Sequence, residues 1–172
     1  LRIPGEELAG VYGGVDFLRA VNLGQETHIG KRCAVIGGGN VAMDVCRSAV
    51  RLGADETYVL YRRSEAELPA DPEEVKEAME EGVQFRFLTA PVEILGADGK
   101  VTGIRVERMT LGEPDEKGRR KPVGTRQFET LAVDSVIGAI GQPVDCGTLD
   151  TRPLPTPTNG PADADHPHYH TP

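Results

Sequence analysis

Six consecutive residues, Gly37-Gly38-Gly39-Asn40-Val41-Ala42, spell G-x-G-x-x-A. The four residues before them, Cys33-Ala34-Val35-Ile36, form an apolar run too short for a helix and suited to a buried parallel strand. The residues after them, Asn40 to Leu52, carry Val41, Val45, Ala49 and Leu52 at helical spacing. In a strand–turn–helix context each small residue has its own task. Gly37 allows the tight turn, Gly39 leaves no Cβ between backbone and a pyrophosphate, and Ala42 keeps the helix close to the strand. The free N–H groups of the helix start face the phosphates. Gly38 lies between them. The chemistry is dinucleotide binding, and its plain alternative is a glycine turn that only joins strand to helix.

Which dinucleotide is decided at the end of the next strand, Thr57 to Tyr61. A site for NAD or FAD usually places Asp or Glu there, about 20 residues after the glycines, to bind ribose hydroxyls. This strand ends instead in Arg62-Arg63, with Ser64 next. Two guanidiniums stand where the 2′-phosphate of NADP would lie. At roughly 1.5–3 kcal/mol per charge-assisted hydrogen bond, they would favour NADP over NAD by about one to three orders of magnitude. A solvated basic pair at a strand end is the bland reading.

Other constellations carry less. Gly24 to Lys31 nearly makes a phosphate loop, but Arg32 stands where a Ser or Thr hydroxyl is needed and the spacing is one residue long. Tyr58 is followed by Arg62, not Lys, so the Tyr-x-x-x-Lys pair of short-chain dehydrogenases is absent. Cys33 and Cys46 fall on the strand and helix, where burial as small hydrophobes is expected. His166, His168 and His170 alternate in a Pro-rich tail, and no metal site is expected from them. The run Lys117 to Lys121 reads as a solvated hairpin loop.

The remaining elements must hold these residues in place. Residues 1–30 read as a lead-in with a short helix from Asp16 to Leu23, stopped by Gly24. After the second strand, Asp71-Pro72-Glu73-Glu74 starts a helix to Glu81, with Asp71 as N-cap and Pro72 at N1. Val83 to Leu88 is a third strand with Phe85 and Phe87 on one face. Pro91–Leu95 and Val101–Met109 pair across Ala97-Asp98-Gly99-Lys100, because Asp-Gly supplies the turn geometry. A polar loop, Gly112 to Pro122, leads to a strand at Gln127–Val133. Asp134 to Ile140 is the last buried strand. The expected fold is α/β: a Rossmann-like parallel sheet with an inserted antiparallel β-meander before its final strand. Residues 31–143 form that domain. Residues 144–172 are a Pro/His-rich tail, and Thr151 to Pro172 is too polar to offset its ordering entropy, so it reads as disordered.

The chain has 172 residues, 38% hydrophobic and 27% charged, with a formal net charge of −8. A chain of this size buries roughly 70% of its unfolded surface and folds without staples. The acidic balance argues against nucleic acid as a partner. Three cysteines at irregular spacing make neither a disulfide framework nor a zinc site. No apolar run reaches the ~20 residues of a membrane span, and no signal peptide opens the chain. A cytoplasmic setting is therefore expected. Because the first residue is Leu1, the chain is read as a piece of something longer.

Together, Val35 to Asp44, Tyr61-Arg62-Arg63-Ser64 and Leu68-Pro69-Ala70 resemble the small (beta) subunit of NADPH-dependent glutamate synthase. Ile3-Pro4-Gly5-Glu6 and Ala139-Ile140-Gly141-Gln142-Pro143 fit the same family, so the resemblance covers about residues 1 to 143. The NADPH half of dihydropyrimidine dehydrogenase and related ferredoxin:NADP oxidoreductases share the module. The resemblance implies an NADPH domain inserted in an FAD domain, with hydride passing to the flavin and electrons leaving through iron–sulfur clusters to a large partner subunit. It implies that Gly37, Gly39, Asn40 and Val41 line the pyrophosphate, that Arg62 and Arg63 bind the 2′-phosphate, and that Gly141 and Gln142 close the nicotinamide side. No catalytic side chain is expected, since the cofactors carry the chemistry. The FAD fingerprint and the iron–sulfur cysteines are not in this sequence. The same module serving another acceptor, or a non-catalytic NADP-binding domain, are the competing expectations.

Overall fold

The computed structural model describes residues 1–141. They form one compact unit of three layers: helices, a parallel sheet and an antiparallel sheet. The elements in order are β1 (Val11–Gly13), α1 (Gly14–Asn22), β2 (Arg32–Ile36), α2 (Asn40–Arg51), β3 (Glu56–Leu60) and α3 (Pro72–Glu80). They continue with β4 (Gln84–Arg86), β5 (Thr89–Ala97), β6 (Lys100–Pro114), β7 (Arg120–Ala132) and β8 (Ser135–Gly138). The parallel sheet has the order β1-β8-β2-β3-β4, and β5-β6-β7 form the antiparallel sheet. The expected Rossmann-like sheet with an inserted meander is the fold observed.

The middle strands are buried on both faces, as their unbroken apolar runs require. In β2, Cys33 and Val35 face the helices, while Ala34 and Ile36 face the meander. Val59 and Leu60 of β3, and Ile137 and Val136 of β8, divide in the same way. On the helical side the main partners are Met43, Val45 and Cys46 of α2, none with any exposed surface. On the other side they are Ile94, Ile104, Val106 and Leu131 of the meander. Each fully buried aliphatic side chain contributes about 1.5–3 kcal/mol, so this sheet, packed on two faces, is where the stability concentrates.

Several local expectations hold. Asp71 caps α3 by accepting from the Glu73 N–H at 2.8 Å, with Pro72 in the first turn. Asp98 and Gly99, at φ +51° and +75°, make the tight turn between β5 and β6. The rings of Phe85 and Phe87 stack with centroids 5.6 Å apart.

Other parts differ. The lead-in contains a strand, β1, that pairs in parallel with β8, and Phe17 of α1 lies in the helical core at 2% exposure. The residues before β1 run along the meander, where the Ile94 N–H donates to the Pro4 carbonyl at 2.8 Å. The polar stretch Gly112–Pro122 is mostly strand: β6 extends to Pro114 and β7 begins at Arg120, leaving Asp115–Arg119 as the turn. There Asp115 accepts from the Lys117 and Arg119 N–H groups, so that turn needs no apolar anchor. The third strand stops at Arg86 because Leu88 turns left-handed, φ +51°, and sends the chain from one sheet to the other. Asp134 precedes β8 rather than opening it. Its carboxylate accepts the backbone N–H groups of Lys31 and Arg32 at 3.0 and 2.9 Å, tying the start of β2 to that of β8.

Candidate functional site

Three loops leave the carboxyl ends of adjacent parallel strands. Residues 139–141 follow β8, residues 37–39 follow β2, and residues 61–64 follow β3. The register, Ile36 opposite both Gly138 and Leu60, brings them to one edge of the sheet. That edge is where open α/β sheets take ligands. The glycine turn and the arginine pair of the sequence therefore share one side of the molecule, with Gly141 beyond them on an exposed loop. Gln142 lies outside the described residues, as do His166, His168 and His170.

Two glycines of the turn are required by the fold and one is not. Gly37 has φ +141°, and a Cβ there would lie 2.4 Å from the Ala139 carbonyl oxygen. A Cβ on Gly38 would strike the Tyr61 ring and the Leu68 side chain at 2.6–2.7 Å. Gly39, at φ −90°, has no heavy atom within 4 Å of its would-be Cβ. Neither backbone strain nor crowding by protein explains a glycine at 39. What its missing Cβ leaves is open space at the head of α2.

Gly39 is the N-cap residue of α2, and no side chain caps the helix. The first backbone N–H groups of a helix have no partner within it, so those of Asn40 and Val41 are available at the mouth of that space. With the positive end of the helix dipole, they make an open cradle whose chemistry suits an anion. Val41 is 40% exposed and Asn40 is exposed. The Asn40 side chain is engaged: its Oδ1 accepts the Asp71 N–H at 2.9 Å.

Across from the cradle, Arg62 is exposed and Arg63 half-buried. Neither makes an ion pair among the described residues. The Arg63 Nε is buried with no hydrogen-bond partner, an orphan donor of the kind a phosphate would satisfy. The Arg63 carbonyl accepts the Leu88 N–H at 2.9 Å, which anchors the backbone of the pair. Tyr61 is the floor of this region. Burial pushes its phenol above the ordinary value, against the pull of Arg63 and Arg62, so it stays neutral and donates to the Glu67 carbonyl at 2.8 Å. The residues present thus fit a ligand with one phosphate group at the α2 cradle and another at the arginines.

Sequence reasoning missed the roles of Tyr61, Leu68 and the Asn40 side chain. Leu68-Pro69-Ala70 stands out only through the family resemblance, because no periodicity marks a segment that folds back over a turn.

The described cysteines are free thiols buried in the core. Burial pushes the Cys33 thiol up to about 11 and the Cys46 thiol up to about 12. At pH 8 the thiolate is then on the order of one molecule in a thousand or fewer. In a Cys146→Ser variant, which removes the third cysteine, a thiol reagent such as Ellman's should leave both unreacted for hours in the folded chain and label both within minutes in denaturant. Rapid labelling of the folded chain would contradict their burial. No group of three or more His, Cys, Asp or Glu able to hold a metal occurs among the described residues, and no described helix is long and apolar enough to cross a membrane.

Known proteins resemble this chain in sequence and in fold. A family model described as pyridine nucleotide-disulphide oxidoreductase matches residues 1–168. The NADP(+)-dependent formate dehydrogenase subunit beta of Moorella thermoacetica is 48% identical over 151 residues, 86% of this chain and 21% of its own. The glutamate synthase [NADPH] small chain of Halomonas elongata is 45% identical over 149 residues, 80% of this chain and 31% of its own. FprA of Mycobacterium tuberculosis in complex with NADPH superposes with a TM-score of 0.69 at 22% identity, covering 82% of this chain and 47% of its own, a likeness of fold. The chain spans from 16% to 32% of the length of the curated relatives it matches.

Proposed function

The chain belongs to the pyridine nucleotide-disulphide oxidoreductase family, and on that premise we propose that it is the NADPH-binding portion of a flavoprotein like the glutamate synthase small subunit. The observation that carries the reading is the presence, on one sheet edge, of an open cradle at Gly39 and of two guanidiniums, Arg62 and Arg63, that make no ion pair among the described residues. A pyrophosphate would lie against the N–H groups of Asn40 and Val41, with Gly37 and Gly38 shaping the turn beneath it. The 2′-phosphate would be held by Arg62 and Arg63. The nicotinamide end would extend toward Gly141 and Gln142.

Bound there, NADPH supplies a hydride, and in the parent protein the acceptor would be an FAD carried by another domain, with iron–sulfur centres and a large subunit beyond it. The residues of this chain orient the coenzyme and move no proton. No side chain is assigned a catalytic role. A role in glutamate synthesis is supported by 45% and 40% identity to glutamate synthase [NADPH] small chains, and the choice of final acceptor belongs to other domains.

The test is a titration of the purified chain, following nicotinamide fluorescence, together with its visible absorbance. Expected are saturable binding of NADPH, much weaker binding of NADH, no bound flavin and negligible turnover with added dye. Tight binding of FAD in place of NADPH would overturn the reading.

A further inference from the structure

The segment Ser64–Asp71 folds back across the glycine turn and is tied down at three points. The Ala70 N–H donates to the Gly38 carbonyl at 3.1 Å, and the Asp71 N–H donates to Oδ1 of Asn40 at 2.9 Å. The Tyr61 hydroxyl donates to the Glu67 carbonyl at 2.8 Å. Both ends of the segment are also fixed. Ser64 follows the arginine pair and shares a reciprocal cap with Glu67, whose carboxylate accepts from the Ser64 N–H and hydroxyl at 3.0 and 2.8 Å. Asp71 caps α3.

Gly39, not Asn40, is the cap of α2. What Asn40 adds is an acceptor that reaches a different element. We propose that Asn40 is a positioning residue for nucleotide specificity. By holding this strap closed on the turn, its side-chain oxygen sets the distance between the cradle at α2 and the guanidiniums of Arg62 and Arg63. The inference rests on the NADPH reading above. It assigns discrimination for the 2′-phosphate to a residue that does not touch it.

The experiment compares the wild-type chain with Asn40→Ala and Asn40→Asp, measuring Kd for NADPH and NADH and the hydrogen exchange of the Asp71 amide without nucleotide. Losing one net hydrogen bond should lower the NADH-to-NADPH ratio of Kd values about fivefold in Asn40→Ala. Protection of the Asp71 amide should fall in the same variant. Asn40→Asp keeps the acceptor, so it should restore the ratio and the protection. Its charge beside the pyrophosphate should weaken both nucleotides together. An unchanged ratio in Asn40→Ala, with both nucleotides equally weakened, would make Asn40 a plain phosphate contact and overturn the proposal. So would an Asn40→Asp chain as indiscriminate as Asn40→Ala. A wild-type chain that binds neither nucleotide would instead sink the NADPH reading, and this inference with it.

Discussion

Replacing Arg62 and Arg63 together with Ala is expected to raise the Kd for NADPH about a hundredfold, within a span of roughly ten- to a thousandfold, while moving the Kd for NADH less than about threefold. The asymmetry follows from where the charges sit. Both guanidiniums lie at the end of β3, one strand away from the glycine cradle, so they can reach only the adenylate end of a dinucleotide seated at α2. NADH presents hydroxyls there and loses little. The single variants should be unequal. Arg63 is half-buried with an unsatisfied Nε, whereas Arg62 is exposed and its field is screened by salt within about 10 Å at 0.1 M. Arg63→Ala should therefore account for most of the loss, and the contribution of Arg62 should shrink further at 0.5 M salt. Calorimetry or fluorescence titration of the four chains would decide it. Equal losses for both nucleotides would remove the arginines from the site.

The second large effect separates two glycines that look equivalent in the motif. Gly37→Ala places a side chain at φ +141° with its Cβ 2.4 Å from the Ala139 carbonyl oxygen, just past the end of the central strand β2. The strained backbone and the clash with Ala139 together should cost about 3 kcal/mol or more, which lowers Tm by roughly 6–12 °C. Gly39→Ala has allowed backbone angles and empty space around the new methyl group. Its Tm should stay within about 2 °C of the parent, yet the methyl group occupies the space a phosphate needs, so NADPH binding should weaken about tenfold or more. Thermal melts and titrations of the same two samples read both quantities. If Gly39→Ala bound NADPH as well as the parent, the open space would not be the phosphate cradle.

The readable parts of this molecule were those set by local chemistry. The glycine turn, α2 and the cap at Asp71 declare themselves within a few residues, because strand, turn and helix differ in period and in their need for special backbone angles. The Asp98-Gly99 turn is legible for the same reason. The unreadable parts depend on residues far apart in sequence. The strand β1 is three residues long, and only its pairing with β8, more than a hundred residues later, makes it a strand. The outer halves of β6 and β7 pair only with each other and are mostly exposed, so little apolar content marks them as strand. Leu88 adopts a left-handed conformation that its residue type disfavours, stabilised by hydrogen bonds to Arg63 and Met109. Within the candidate site, the arginine pair stands out in the sequence because it occupies a place where an acid is usual. The strap does not, since its ties run from backbone groups to one amide oxygen and one phenol hydroxyl, which no local pattern announces.

The contact of the first residue with the last strand has a consequence for any chain that continues past both ends. The Leu1 side chain rests against Gly138, where a Cβ would meet it at 2.8 Å, so the path through this unit returns close to where it started. A flexible excursion of the same 141 residues would charge a host protein about 4 kcal/mol in loop-closure entropy. Folded, the unit holds its first residue against its last strand, so any segments flanking it would leave from neighbouring points instead of being held apart by a long loop.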